Sequence, residues 1–360
     1  MAQGTPRQFA DIEPAWLTSL LREAGSLRAG AVTAVGIEPI GVGVGFLGQV
    51  ARLRLTYDRP DEAAPVTLVG KLPTLDPGGR EICRLFRFYE REIHFYRQLT
   101  PRIPVRVPRC YASVMDLVAD DYLLLLEDFA SLPMGDDAKG CTLAEADRAI
   151  RNVAGLHAAW WAHSDLDRLD WMPKSNAPVH QTAEPAYQQV LPHFLKMFGD
   201  YLSPRMRAVT EDMRTHVIDL LNAFTNPPMT IAHGDYRLDN MFFDDGGVAV
   251  IDWQIAFRGR GAFDVAYFLS GCLDPAVRRA EEMRLLRLWY ELATGGRPDY
   301  TFEDALLDYR RSVLYCHVYT VIATGFLNPS NERGMAVFRA WLQRRSAAIE
   351  ELDAGELMPT

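Results

Sequence analysis

Two hydrophobic periods divide this chain, and the point where one gives way to the other constrains its fold more than any single residue. Ala51, Leu53, Leu55 and Tyr57 alternate with Arg52, Arg54 and Thr56. Period two marks a strand with one buried face. The runs AVTAVGIEPI before it and VTLVGKLP after it are also strand-like, and two more strands are expected near residues 106–114 and 122–126. From about residue 81 to 99 the period changes: Ile82, Leu85, Phe86, Tyr89, Ile93 and Tyr96 recur at helical spacings of three and four. A short amphipathic helix, DIEPAWLTSLLREAG, precedes the strands. The first third is therefore expected to be a sheet with one internal helix.

The segment EDFASLPMGDDAKG, rich in Gly, Asp and Ser, reads as a linker. Beyond it Thr142 and Glu145 form a T-x-x-E capping box that opens a long helix. Nearly everything that follows is helical. The exception is a β-hairpin near residues 241–252, where Gly246 and Gly247 separate two apolar runs. The expected organisation is α+β: a small antiparallel-sheet lobe over residues 1–126, a hinge and linker over 127–141, and a large helical lobe over 142–360. A length of 360 residues suits two lobes better than one.

Composition narrows the classes. With 48% hydrophobic and 24% charged residues the chain is an ordinary soluble type. Its 38 basic and 47 acidic side chains give a net charge of −9, which argues against binding a phosphate backbone, so no nucleic acid is implied. The arginine pairs Arg278 and Arg279, Arg310 and Arg311, and Arg344 and Arg345 are expected on solvated helix faces. Five cysteines, an odd number with no CxxC, point to a reduced, cytoplasmic protein without disulfides or a zinc knuckle. The N-terminal MAQGTPRQFADIEPAW lacks an apolar signal core. The uncharged run SVLYCHVYTVIATGFLNPS carries His317 and several other polar groups, and is expected as a buried helix rather than a membrane span. No membrane or protein partner is implied.

The stretch GVGVGFLGQV contains Gly43-x-Gly45-x-x-Gly48. A dinucleotide-binding turn would need a helix next, and here a strand follows. Strand, glycine turn and strand make a flap whose backbone can lie over phosphates, or a plain glycine hairpin. Lys71, inside the apolar LVGKLP, must reach water or an anion. Glu92 has Phe88, Tyr89, Phe95 and Tyr96 as its helical neighbours and calls for a cation. A Lys71–Glu92 pair would satisfy both and leave the lysine to phosphate oxygens. In the alternative, Lys71 lies at a sheet edge, Glu92 is solvated, and Glu90 is a substitute partner.

Two later stretches carry the chemistry: HGDYRLDN, residues 233–240, and VAVIDWQ, ending at Gln254. Transfer of a γ-phosphoryl group needs a carboxylate to orient and deprotonate the attacking hydroxyl, and hard oxygen ligands for a magnesium ion. Asp235 fits the first role. Asn240 can turn back across the loop with a neutral oxygen, and Asp252, returned by the hairpin, adds a charged one. His233 is expected as a hydrogen-bonding strut. Two alternatives compete: ordinary turn residues, and a hydrolytic metal site of His233, Asp235, Asp239 and Asp252. His157 and His163 do not share a helical face and add little to the second.

With the glycine loop, the segments EREIHFYRQL, LLLLEDF, LHAAWW, HGDYRLDN, IDWQ and GAFDVAYFL span residues 41–269. Together they resemble the kinase-like phosphotransferases: aminoglycoside phosphotransferases, choline kinases and, more closely, the ecdysteroid-kinase-like group. The resemblance implies a bilobal protein-kinase-like fold and an ATP/Mg2+-dependent kinase, with GTP the other candidate nucleotide. It implies Asp235 as catalytic base and Asn240 and Asp252 as magnesium ligands. Gly43, Gly45, Gly48, Lys71 and Glu92 would serve the phosphates. Glu127 and Asp128 would begin a hinge whose backbone bonds the nucleobase. Asp264 would brace the catalytic loop, and His157 would be a satisfied core histidine. Gly234 stands where protein kinases have Arg, DWQ replaces DFG, and no long activation segment or APE follows. The flap also lacks the serine often found near the Gly48 position.

These departures point to a small-molecule hydroxyl as acceptor. Trp160, Trp161, Trp171, Tyr187, Tyr201, Tyr315 and Tyr319 could line a cavity for a sterol-like or terpenoid alcohol, though most are expected as helix packing. Asp136, Asp137, Asp165 or Asp167 could instead hold a cation, as in a choline-like or antibiotic substrate. A nucleotide-binding pseudokinase or regulatory module is the alternative function.

Overall fold

The computed structural model describes residues 5–41, 48–245, 247–327 and 330–359. The chain divides into two compact units, Met1–Pro101 with Val107–Leu132, and Arg102–Arg106 with Pro133–Thr360.

The first unit is built on five strands: β1 (Val32–Pro39), β2 (Gly48–Tyr57), β3 (Thr67–Pro73), β4 (Cys110–Asp116) and β5 (Asp121–Glu127). All neighbours are antiparallel, in the order β1-β2-β3-β5-β4. The alternation in β2 has the expected meaning. Ala51, Leu53 and Leu55 are buried with Leu17 and Leu21 of helix α1 (Pro14–Glu23). Arg52 and Arg54 project from the other face, Arg52 Nε donating to Asp128 at 2.6 Å and Arg54 Nη2 to Glu38 at 3.0 Å.

The helical run near residues 81–99 is not one helix. It consists of α2 (Pro77–Leu85), α3 (Phe88–His94) and a π-turn over Phe95–Leu99. Arg87 breaks it with a left-handed φ of 54°. The two pieces bury different surfaces: only Cys83 is buried in α2, whereas α3 buries Phe88, Glu90, Arg91, Glu92 and Ile93 and packs on β4 and β5. One straight helix could not switch faces in this way, so the left-handed residue does the turning.

The second unit contains α4 (Leu143–Trp160), α5 (Pro178–Gln181), α6 (Ala183–Phe198), α7 (Pro204–Asp212) and α8 (Val217–Ala223). After them come α9 (Ala262–Cys272), α10 (Pro275–Thr294), α11 (Phe302–Ala323) and α12 (Glu332–Glu351). The capping box at α4 is present, with Thr142 N–H donating to Glu145 at 2.8 Å and Glu145 N–H to Thr142 Oγ1 at 3.2 Å. The expected hairpin is β7 (Met241–Asp244) with β8 (Gly247–Val250). A second pair, β6 (Thr230–Ala232) with β9 (Phe257–Gly259), has strands too short to show a period in the sequence.

The expectation of solvated arginine pairs fails at three positions. Arg278 and Arg345 are fully buried and Arg344 nearly so. Adjacent helical residues point about 100° apart, so a pair need not share one solvated face: Arg278 is turned inward from its pair, and Arg344 and Arg345 both are. Arg344 Nη1 donates to the carbonyls of Asp137 (2.6 Å) and Gly271 (3.0 Å), the latter among the last carbonyls of α9, which the helix itself cannot satisfy. Arg345 Nη1 donates to Thr320 Oγ1 at 2.7 Å, with its guanidinium 4.5 Å from the Tyr267 ring centroid.

The uncharged run of α11 is buried within the helical unit, and no described helix is long and apolar enough to cross a membrane. None of the five cysteines is joined in a disulfide. Trp160, Trp161, Trp171, Tyr187 and Tyr315 are core packing, while Tyr201 is exposed and Tyr319 half-buried.

His317, on α11, is fully buried. The Thr210 hydroxyl gives its proton to Met206 O at 2.7 Å, so it accepts from His317 Nε2, 2.8 Å away. That fixes the tautomer and leaves Nδ1 buried without a partner among the described residues. Protonation there would bury an unpaired cation. Burial, helped by Arg345, accordingly lowers the pKa from 6.5 to about 3. Between pH 6.5 and about 3 the unfolded chain binds a proton that the folded chain does not, so stability falls as pH drops through this window. His317→Gln is expected to reduce the slope of unfolding free energy against pH between about pH 4 and 6 by up to about 1.4 kcal/mol per unit, in urea titrations of both proteins. Equal slopes would remove His317 as a source of acid sensitivity.

Candidate active site

In the sheet unit, Lys71 projects from β3 on the face opposite the α1 cluster. Its Nζ lies 2.8 Å and 2.7 Å from the two oxygens of Glu92 on α3. The glutamate side chain is 3% exposed and the lysine 21%. The cation is thus anchored at its buried side with part of its surface still open. Glu90, the substitute partner, is taken by Arg87 at 2.5 Å and 2.8 Å. Gly48 opens β2, where an added Cβ would lie 3.1 Å from Leu72 O. Gly43 and Gly45 lie outside the described residues. Glu127 N–H donates to Arg109 O at 2.8 Å, so it is committed within this unit. The Asp128 carboxylate is held by Arg52 and by Ala130 N–H at 3.0 Å.

In the helical unit, HGDYRLDN forms the loop from β6 to β7. Asp264, in the first turn of α9 and fully buried, accepts from His233 N (2.7 Å) and Gly234 N (3.0 Å). Its Oδ2 also meets His157 Nε2 at 3.2 Å. Trp289 Nε1, which can only donate, reaches His157 Nδ1 at 2.8 Å, so Nε2 carries the proton toward Asp264. His157 is therefore a satisfied core histidine and also the second support of the loop. The sequence places Trp289, His157 and Asp264 on three separate helices, and no local pattern links them.

Gly234 has φ +86°, and a Cβ there would sit 2.7 Å from Ile255 O. Backbone conformation and space both call for glycine. His233 is a strut: Nδ1 accepts Asp235 N–H at 3.2 Å, so Nε2–H donates to Ile251 O at 2.9 Å. Ile251 N–H in turn donates to Asn240 O at 3.0 Å. The peptide before Asp252 is thus tied on both sides to the loop carrying Asp235 and Asn240. Asp252 itself adopts a left-handed φ of 66°, which Asp tolerates better than most residues.

Asp235 Oδ2 accepts two hydrogen bonds, from Asn240 Nδ2 and Arg237 Nε, each 2.9 Å long. Asn240 Nδ2 also donates to Asp235 O at 3.0 Å. These contacts set the amide orientation, with Nδ2 as the donor end and Oδ1 as the acceptor end. The Asn240 and Arg237 donors to the Asp235 carboxylate are both on Oδ2, and the Tyr267 hydroxyl is a further hydrogen-bond partner of the carboxylate. Burial pushes the Asp235 carboxyl up, but the adjacent Arg237 guanidinium outweighs it, with His233 and Tyr267 helping, and the group stays below its ordinary value. Asp235 is a carboxylate at neutral pH.

Not all of the loop's acids converge. Asp239 Oδ1 accepts from Asp137 N (3.0 Å) and Arg333 Nη2 (2.9 Å). With His233 holding backbone on both nitrogens and Asp239 turned to Arg333, the set required for a hydrolytic metal is not assembled. Among the described residues no group of three or more His, Cys, Asp or Glu is gathered for a metal. Asn240 Oδ1 and the Asp252 carboxylate are hard oxygens, two protein ligands of the kind magnesium takes when phosphates and water supply the rest. Arg237 and Asp137 are the neighbours that sequence reasoning missed.

A two-unit α+β chain with a lysine–glutamate pair in its sheet and an Asp-x4-Asn loop before a hairpin has the features of the kinase-like phosphotransferases. The chain belongs to the ecdysteroid kinase-like family, which it matches over residues 42–293. No curated protein matches it by sequence. Solved structures share the fold at low identity. A Ralstonia eutropha protein described as an aminoglycoside phosphotransferase has 17% identity and a TM-score of 0.54, over 96% of this chain and 98% of that one. Choline kinase from Cryptosporidium parvum has 10% identity and a TM-score of 0.54, over 88% and 90%. The GDP complex of aminoglycoside 2′-phosphotransferase-IIIa has 14% identity and a TM-score of 0.55, over 92% and 97%.

Asp264→Ala would strand two backbone amides and the His157 N–H in a buried site. It is expected to destabilise the helical unit by about 3–5 kcal/mol, read as a lower urea midpoint. A loss under about 1 kcal/mol would show that the loop does not lean on this carboxylate.

Proposed function

We propose that the chain is an active kinase that transfers the γ-phosphoryl group of ATP or GTP to a hydroxyl of a small molecule. The observation that carries this is the state of Asp235, a carboxylate whose Oδ2 is pinned by Arg237 Nε and Asn240 Nδ2. In this reading the acceptor hydroxyl meets Oδ1. Its oxygen attacks the γ-phosphorus as its proton passes to Asp235, and the bond to the β-phosphate oxygen breaks to leave the nucleoside diphosphate. Lys71, held by Glu92, neutralises phosphate oxygens. Asn240 Oδ1 and Asp252 would hold magnesium, which neutralises charge on the phosphates when bound. The GDP in the similar 2′-phosphotransferase-IIIa structure supports a purine nucleotide.

The structure also bears on the acceptor. The four acids considered for a cationic substrate each already face a cation. Asp136 meets Lys139 and Arg333, Asp137 meets Arg237, Asp165 meets Arg102 and Arg168, and Asp167 lies 3.9 Å from Lys174. Beside the base, Tyr267 and the half-buried Tyr319 form an edge-on pair with ring centroids 5.9 Å apart. These features favour an uncharged, partly apolar alcohol of the sterol or terpenoid kind over a choline-like or antibiotic cation.

The test is incubation with ATP and magnesium in a metabolite extract, with mass spectrometry for products heavier by one phosphoryl unit. Asp235→Asn is expected to retain nucleotide-dependent thermal stabilisation and lose turnover by about 10² to 10⁴. Asp252→Ala should lose the magnesium-dependent part of that stabilisation. Undiminished turnover in Asp235→Asn would remove the proposed base. Stabilisation by nucleotide with no product from any extract would favour the regulatory, non-catalytic alternative.

A further inference from the structure

Asp137 lies in the segment between β5 and α4 that reads as a linker, yet it is fully buried. All of its polar groups are engaged. Its N–H donates to Asp239 Oδ1 (3.0 Å) and its carbonyl accepts from Arg344 Nη1 (2.6 Å). Oδ1 accepts from Leu238 N (3.0 Å), with Cys272 Sγ also 3.7 Å from it, and Oδ2 accepts from Arg237 Nη1 (2.7 Å). Three of these partners, Arg237, Leu238 and Asp239, are consecutive residues of the loop that carries Asp235.

Arg237 is therefore gripped at two points. Nη1 is on Asp137, with Asp239 Oδ2 a further 3.5 Å contact, and Nε is on Asp235 Oδ2 at 2.9 Å. The guanidinium plane lies 5.4 Å from the Trp341 ring centroid. A planar fork held at two of its nitrogens has little rotational freedom, and it transmits that rigidity to whatever it bonds. Burying a carboxylate is a costly way to stabilise a fold, since an apolar residue of the same volume often does as well. Burial does push the Asp137 carboxyl up, with Arg237 opposing. This expense is better explained by what Arg237 must resist. Beside a bound triphosphate, an arginine tied only to Asp235 would be drawn to phosphate oxygens, and the base would lose one of the two donors on its Oδ2.

We propose that Asp137 is a positioning residue for phosphoryl transfer: it anchors Arg237 so that Arg237 Nε and Asn240 Nδ2 together fix the Asp235 carboxylate and keep Oδ1 toward the acceptor hydroxyl. The inference rests on Asp235 being the base. It assigns the linker segment a part in the reaction that neither the motif nor the fold requires.

Asp137→Asn tests it. The amide is nearly isosteric and can still accept from Leu238 N, but it turns a donor toward Arg237. Turnover is followed as ADP formation from ATP and magnesium, with water and any alcohol found in the extract as acceptors. ATP affinity is followed by calorimetry, and a crystal structure of the variant gives the geometry. Asp137→Asn is expected to lower kcat about 10- to 100-fold, with KM and ATP affinity within about twofold. In its structure Arg237 Nε has left Asp235. Arg237→Lys should give a similar loss, and the double variant should be no worse than the weaker single one. An unchanged kcat, additive losses, or an intact Arg237–Asp235 contact in the variant structure each overturn the proposal. Where turnover is too slow to measure in every protein, the crystal structure alone decides. If Asp235→Asn keeps full turnover, the assignment of the base fails, while the Asp137→Asn structure still reports whether the anchor exists.

Discussion

One buried carboxylate organises the helical unit. Residues 233–235 form an irregular turn inside the protein, where backbone amides find no water and no regular ladder. Asp264 receives two of them, and His157, oriented by Trp289, supplies a third donor to the same group. The chain Trp289–His157–Asp264 ties α10, α4 and α9 to one peptide. Gly234 then lets the backbone make the left-handed turn that sets Asp235 beyond the brace. Without this acceptor, the placing of Asp235, Asn240 and Asp252 would rest on a loop with unsatisfied donors, and such loops do not stay buried.

What the sequence made legible follows from what has a local period or a local spacing. The alternation in β2, the capping box at Thr142, the hairpin after Asn240 and the Lys71–Glu92 contact all involve residues whose pattern repeats within one or two elements. The break at Arg87 left no signal, because a helix that changes its buried face keeps the same spacings on either side. The strands β6 and β9 are three residues each, too short for a period. His157 was expected as a satisfied core histidine, and it is one. Its second role depends on Trp289, 132 residues away, and on Asp264, 107 residues away.

The arginines show the same limit from the other side. Charge runs are usually solvated, and that rule placed Arg278, Arg344 and Arg345 at the surface. Each instead meets buried polar groups: a terminal carbonyl of α9 for Arg344, a carbonyl and a hydroxyl within α11 for Arg345, and the Glu282 carboxylate one turn along its own helix for Arg278. Arginine suits this work because its charge is not lost on burial and its flat face packs on Tyr267 and Trp341. From composition alone, a buried arginine that completes a helix end looks the same as an exposed one. Asp137 is the acidic counterpart, since a Gly/Asp-rich segment reads as solvent-exposed until its partners are known.

If the chain is the small-molecule kinase proposed above, the segment after Asp252 bears on the size of its acceptor. A peptide substrate needs an extended platform next to the catalytic loop. Here Phe257–Gly259 is already paired with Thr230–Ala232, Arg258 N–H is bonded to Pro173 O, and α9 begins at Ala262. The residues that could have formed a platform are consumed in holding β6, the strand that leads into His233. In the proposed reaction the aromatic surface on this side is that of the half-buried Tyr319, edge-on to Tyr267, whose own ring is buried under Arg345, while Asp136 and Asp137 already face arginine or lysine. A compact alcohol with apolar surface can use such a face by losing water from it. A polycation would have to displace existing ion pairs, at the cost of leaving a guanidinium such as Arg237 without its partner.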